Sequence, residues 1–216
     1  MEEGVDIRTA IASTGAVLEG EHFFALKKGG VSTKYINMDP TLTRPNLLRV
    51  LGSLLISPFL RSCDAIAGPA VGGIPLVYMS AVALNIAHMN RDIRTAFADK
   101  TPEGFAFVRA GFAQSMHNRK VVVVEDVTTT GSSAKSVCDC VADAGGEVIG
   151  VHFVWNRGGV TKDMMGVDRI ESIVTESVET WEPHKHPHWG EWPLVSDIGH
   201  PEHFPDYPGP RIKLLS

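Results

Sequence analysis

Short apolar runs alternate along this chain with longer stretches in which apolar residues recur every three or four positions. Most of the short runs end in Gly, Pro, Thr or Asp. Such alternation predicts strands and helices in turn. Residues 8–18 have mixed helical character, closed by Thr14–Gly20. His22 to Asn37 carries two apolar runs around Gly29-Gly30, the pattern of a β-hairpin. From Arg44 to about Leu60, leucines and isoleucines fall at helical spacing, and Pro45 suits a first helical turn. Asp64–Ala67 reads as a buried strand, Gly68–Gly73 as a tight turn, and Ile74–Leu84 as a core helix that is apolar nearly all round. Residues 86–90 read as a further short strand. Thr95–Asp99 and Phe105–Arg109 flank Pro102-Glu103-Gly104, which suggests a second hairpin. Four valines, Val121–Val124, suit a parallel strand covered on both faces. The helix expected next, residues 133–144, puts Ala134, Val137, Val141 and Ala144 on one face and stops at Gly145-Gly146. Val148–Trp155 is the following buried strand. Strand–helix–strand order of this kind predicts an α/β fold, a doubly wound, mostly parallel sheet with right-handed crossovers.

The pattern fails near Trp181. The last 36 residues hold 7 of the 13 prolines and 5 of the 9 histidines, with almost no apolar periodicity. We therefore expect one domain over residues 1–180, with a small hood from the N-terminal segment, and a Pro/His-rich extension over 181–216 that wraps or docks.

Bulk properties narrow the classes. At 216 residues and 44% apolar composition, the chain suffices for one α/β domain with decoration. A formal charge of −5 argues against a broad nucleic-acid surface. No apolar run reaches membrane length and no basic–apolar–small leader opens the sequence, so neither membrane nor export is expected. Cys63, Cys138 and Cys140 lack C-x-x-C spacing and read as reduced, packed thiols of a cytoplasmic protein.

The chemistry concentrates in Val121-Val-Val-Val-Glu-Asp-Val-Thr-Thr-Thr-Gly-Ser-Ser133. Glu125 and Asp126 close the strand where open α/β sheets bind ligands. Thr128, Thr129, Thr130, Gly131, Ser132 and Ser133 offer hydroxyls and backbone N–H groups at a helix N-terminus, a natural phosphate seat, with Gly131 placed for a left-handed conformation. The nucleotide P-loop needs Gly-x-x-x-x-Gly-Lys-Ser/Thr; Lys135 stands four residues after Gly131 with no such Gly before it. A second glycine-rich turn, Gly68-Pro-Ala-Val-Gly-Gly73, also lies between a strand and a helix and can form an anion nest. Acids beside phosphate donors point to a phosphorylated sugar.

The 121–133 stretch resembles the phosphoribosyl-pyrophosphate (PRPP) signature of the type I phosphoribosyltransferases. Together with Thr14–Gly29, Ala67–Ile74, Phe97–Lys100 and Val108–Gly111, taken in order, it is most similar to the orotate phosphoribosyltransferases, over roughly residues 10–160. The resemblance implies transfer of a phosphoribosyl group from PRPP to orotate, with release of orotidine 5′-monophosphate and pyrophosphate. It implies Mg²⁺ held mainly through PRPP, near Glu125 and Asp126, and a homodimer. By the same resemblance Glu125, Asp126 and Lys100 are catalytic. Lys27, Gly68, Val71, Gly72, Gly73, Lys100, Arg109 and the 128–133 segment hold PRPP, and Lys27, Thr129 and Arg157 border the base. A planar guanidinium at Arg157 suits the carboxylate that orotate has and uracil lacks.

Two departures stand out. The stretch matching the family's long mobile loop, Phe97–Arg109, is short and has only Lys100 and Arg109 as cations, which resembles a variant branch with a compact hairpin hood. Gly72 stands where many family members carry a lysine. Transfer to another base, purine or pyrimidine, and a non-catalytic PRPP-sensing regulator are the alternatives. His184, His186, His188, His200 and His203 are a set of residues able to bind zinc or nickel, but no cysteine accompanies them and the prolines fix no common face.

Overall fold

The computed structural model describes residues 6–27, 29–88 and 92–215. In chain order its elements are α1 (Ile7–Ala12), β1 (Val17–Ala25), β2 (Val31–Ile36), α2 (Asp39–Leu42), α3 (Pro45–Ile56), β3 (Ala65–Pro69), α4 (Gly73–Ala87), β4 (Arg94–Thr101) and β5 (Gly104–Ala106). They continue with α5 (Phe112–Met116), β6 (Lys120–Thr128), α6 (Ser132–Asp143), β7 (Glu147–Asn156), α7 (Lys162–Met165), β8 (Ile170–Thr175), β9 (Leu194–Val195) and β10 (Arg211–Ile212). Contacts divide the chain into two compact units. Of the described residues, one takes those within 6–10 and 38–177; the other takes those within 11–37 and 178–215.

The first unit is built on a six-stranded sheet in the order β5-β4-β3-β6-β7-β8. All neighbours are parallel except β4 and β5, the second predicted hairpin. Val121–Val124 are fully buried, as a β-branched run between two helical layers must be. Alternate side chains serve opposite faces. Ala65, Ala67, Val121, Val123, Val151 and Phe153 share one apolar cluster with Ala134, Val137 and Val141 of α6. On the other side α3 and α4 pack on each other, α4 against β3, β4 and β6, and α3 against β7. Helices on both faces of a mostly parallel sheet are the doubly wound architecture expected from the sequence.

The chain runs from β3 through α4 outward to β4, and from β6 through α6 outward to β7 on the other side. β3 and β6 are therefore the adjacent strands where the winding reverses, and the crevice beyond their C-terminal ends is the expected ligand position.

One expected element differs. Residues 86 and 87 belong to α4, not to a strand, while 89 and 90 lie outside the described residues. A helix apolar on every side gives no periodic sign of where it stops.

The second unit pairs β1 with β2 antiparallel, as predicted, and adds β9 and β10 in the order β10-β9-β1-β2. Phe23 is its fully buried centre, within 6.5 Å, centroid to centroid, of the rings of His186, Trp189, Trp192 and Tyr207. The Pro/His-rich stretch thus supplies an aromatic core. Among the described residues no helix is long and apolar enough to cross a membrane.

Candidate active site

The site grows from the ends of β3, β6 and β7. Gly68, in β3, is buried, and a Cβ there would stand 2.6 Å from the Val124 carbonyl and 2.8 Å from Val77. A side chain would push β3 from β6 and α4; this glycine serves packing. Beyond it Ala70 donates its N–H to the Ala98 carbonyl of β4 at 2.8 Å. Val71 is 80% exposed at the tip. Gly72 lies over the Asp126 carboxylate: a Cβ would sit 2.3 Å from Oδ2. The first glycine-rich loop and the acid of the signature strand therefore touch.

Asp126 accepts the Val127 N–H at 2.8 Å. Burial, and secondarily the charge of Asp39 at the start of α2, raise its pKa above the ordinary carboxylate value, against the opposing pull of backbone N–H groups. Asp39 carries no signature and was not anticipated. Glu125 is buried at 6% exposure. By strand alternation it leaves β6 on the side of Val121 and Val123, where it adds negative charge near Cys138. The two acids thus depart from opposite faces of one strand end.

The second loop is shaped by its own hydroxyl. Thr128 is buried and its Oγ1 accepts the Gly131 N–H at 3.0 Å. Gly131 has φ +76 and caps α6, whose first turn begins at Ser132. A Cβ there would stand 3.0 Å from Val160 and 3.2 Å from Met165. Thr129, Thr130 and Ser132 are exposed and Ser133 is half-buried at the helix start, where unbonded N–H groups favour an anion.

Arg157 follows β7, 5% exposed, and donates its backbone N–H to the Thr128 carbonyl at 3.0 Å. A Cβ on Gly158 would fall 1.6 Å from the Thr129 carbonyl oxygen, so no other residue fits. Asn156 braces the turn from beneath. Its side-chain amide donates to the Val160 carbonyl and accepts the Val160 N–H, both at 2.9 Å. With Asp39, Asn156 and Gly158 are the site residues that sequence reasoning missed. A Gly-Gly pair following Arg157 was the available signal.

Lys100 is exposed on β4, past the last residue paired with β3. Arg109 is also exposed. It pairs with Asp99 through Nε at 3.2 Å and lies 4.8 Å over the Phe97 ring. Lys27 is an exposed turn residue between β1 and β2 in the second unit. The structure thus brings together Gly72, Asp126, the 128–133 loop and Arg157, and it places Lys27 in the other unit. The cysteines are free thiols. Burial lifts the Cys138 thiol to about 12, so it is protonated and inert at neutral pH.

Two phosphate-suited loops flanking an acid at a sheet's switch point define a phosphosugar-binding α/β enzyme. The phosphoribosyl transferase domain model matches residues 44–185. An orotate phosphoribosyltransferase of Caldicellulosiruptor bescii is 35% identical over 175 residues, 81% of this chain and 85% of that one. Another, of Desulforamulus reducens, is 36% identical over 183 residues, 84% and 87%. The crystal structure of orotate phosphoribosyltransferase from Aeropyrum pernix superposes with a TM-score of 0.58 at 27% identity, covering 78% of this chain and 93% of that one. The chain belongs to the orotate phosphoribosyltransferase family.

Proposed function

We propose that the protein transfers the 5-phosphoribosyl group of PRPP to orotate, giving orotidine 5′-monophosphate and pyrophosphate in pyrimidine nucleotide synthesis. The observation that carries this reading is the junction of Arg157 with the phosphate loop. The Arg157 backbone is fixed to the Thr128 carbonyl and the next residue, Gly158, packs on the Thr129 carbonyl, so a buried arginine starts beside the phosphate loop, where its guanidinium suits an anionic base held next to a 5′-phosphate.

In this reading Thr129–Ser133 seat the 5′-phosphate on the N-terminus of α6, and the 70–73 loop cradles the pyrophosphate with backbone N–H groups. Asp126 faces the ribose. As pyrophosphate leaves, positive charge grows on the ribosyl carbon, and a partly desolvated carboxylate stabilises that charge more than it stabilises the ground state. Glu125 and Lys100 are the further catalytic candidates, Glu125 toward a ribose hydroxyl and Lys100 toward the pyrophosphate. Arg109, already paired with Asp99, would have to exchange partners to bind phosphate. Lys27 is assigned by family resemblance alone.

The donor set fits Mg²⁺ brought in by PRPP: Asp126 is a carboxylate whose burial and neighbour Asp39 leave it short of positive charge. The bound ion would neutralise the leaving pyrophosphate. We also place the protein in the cytoplasm, consistent with three unbridged thiols. We further infer a homodimer, supported by the exposed apolar row Tyr78, Val82 and Ile86 on α4.

The test is base consumption with PRPP and Mg²⁺, following orotate, uracil and adenine by absorbance. Loss of orotate with matching release of pyrophosphate is expected. Turnover of a purine with no use of orotate would overturn the base assignment.

A further inference from the structure

Independently of the transferase reading, we propose that His200, Glu202 and His203, in the second unit, form a binding site for one divalent transition-metal ion of the zinc type. Their ligand atoms lie within 4.8 Å of one another, and this is the sole such grouping of three among the described residues. His184, His186 and His188 do not converge in this way.

The backbone presets the cluster. Pro201–His203 is a single 3₁₀ turn, closed by His203 N–H to the His200 carbonyl at 3.1 Å. It is fastened to the end of β1 by His200 N–H to the Ala25 carbonyl at 2.9 Å. Gly199, at φ +80, permits this approach, since a Cβ would stand 2.5 Å from the same oxygen.

The ring contacts also suit a metal. His203 Nδ1 is 3.2 Å from the Leu26 carbonyl, which can only accept, so Nδ1 carries the proton and Nε2 keeps its lone pair. An outer carbonyl that fixes the tautomer of a ligating histidine is the usual support of such sites. The two imidazoles stack with centroids 5.4 Å apart, and Glu202 Oε1 accepts a hydrogen bond from His200 Nδ1 at 2.9 Å, which leaves Nε2 of His200 as its metal-binding nitrogen. Bonds of about 2.0–2.2 Å to tetrahedral zinc place ligand atoms about 3.3 Å apart, a closure that side-chain rotation supplies. Two imidazoles and a carboxylate favour zinc, nickel or cobalt over magnesium. Three protein ligands leave a position for water, and the bound ion would lock the 200–203 turn onto the end of β1.

Zinc chloride titrated into the full, untagged chain in chelator-free buffer tests this by calorimetry. One zinc per chain with a Kd of about 10 µM or tighter is expected. His203→Gln and the exposed Glu202→Gln should each weaken it at least about tenfold, whereas His184→Gln should not. Cobalt(II) should give the intense visible bands of four-coordination, and lose them in Glu202→Gln. No stoichiometric zinc below about 100 µM, or equal affinity in Glu202→Gln and His203→Gln, overturns the site.

Discussion

The two glycine-rich loops at the switch point, both proposed to cradle phosphate, are built from different materials. The loop after β3 is bare backbone: Val71 projects into solvent and Gly72 rests on the Asp126 carboxylate. The loop after β6 adds hydroxyls, and its pivotal glycine is pressed on Val160 and Met165, part of the same apolar cluster as the α6 core. A glycine can be required by the ligand or by the core, and the motif alone does not say which. Gly131 thus answers to its left-handed backbone and to the core as well as to the phosphate that it is proposed to seat.

The sharpest way to break this comparison is at Gly131. Gly131→Val combines a left-handed backbone, costing about 1–3 kcal/mol, with overpacking of about 1–3 kcal/mol. We expect urea denaturation to show roughly 3 kcal/mol or more lost; wild-type stability would mean that the core does not hold the loop. Next comes Arg157→Ala, expected to cost about 2–4 kcal/mol in kcat/KM for orotate because a buried charged partner is removed. PRPP affinity should barely change, and uracil should gain relative to orotate. Equal losses for both bases would separate Arg157 from the carboxylate.

Asp126→Asn should lower kcat roughly a hundredfold, about 2.7 kcal/mol, with PRPP affinity little altered. Its effect on stability should run the other way. Burial raises the Asp126 pKa, so folding favours the neutral carboxyl. That contribution is full below the unfolded value of 3.8 and is lost as pH rises through the higher folded value. At neutral pH the wild type thus carries a penalty that asparagine lacks, and the mutant should melt higher; a lower melting temperature would contradict it. The smallest effect is expected at Gly72→Ala, where the new methyl meets a movable side chain rather than core. PRPP affinity should fall about tenfold, about 1.4 kcal/mol, with the melting temperature nearly unchanged. A large loss of stability there would erase the contrast between the loops.

Residues close in sequence were the legible ones. Val121–Ser133 carries strand, acids, turn and helix start in one segment, so its placement needed no long-range information. Asn156 bracing Val160, Gly158 against Thr129 and Asp39 near Asp126 were not foreseen. The second depends on strands β6 and β7 brought side by side and the third on a helix start meeting a strand end, and an asparagine or aspartate alone announces no partner. The tail was recognised by composition, but its two-residue strands β9 and β10 are too short for periodicity. The pairing of β9 with β1 and of β10 with β9, and the grouping of 11–37 with 178–215, come from tertiary packing.

The contact of Gly158 with the Thr129 carbonyl has a thermodynamic corollary. The loop proposed to seat the phosphate and the arginine proposed to meet the base share one joint, so a ligand that orders Thr129 also narrows the positions open to Arg157. Binding at either end should then ease binding at the other by the same factor, as linkage requires. Orotate should bind more tightly when ribose 5-phosphate already occupies the loop, and ribose 5-phosphate more tightly, by an equal ratio, when orotate is present.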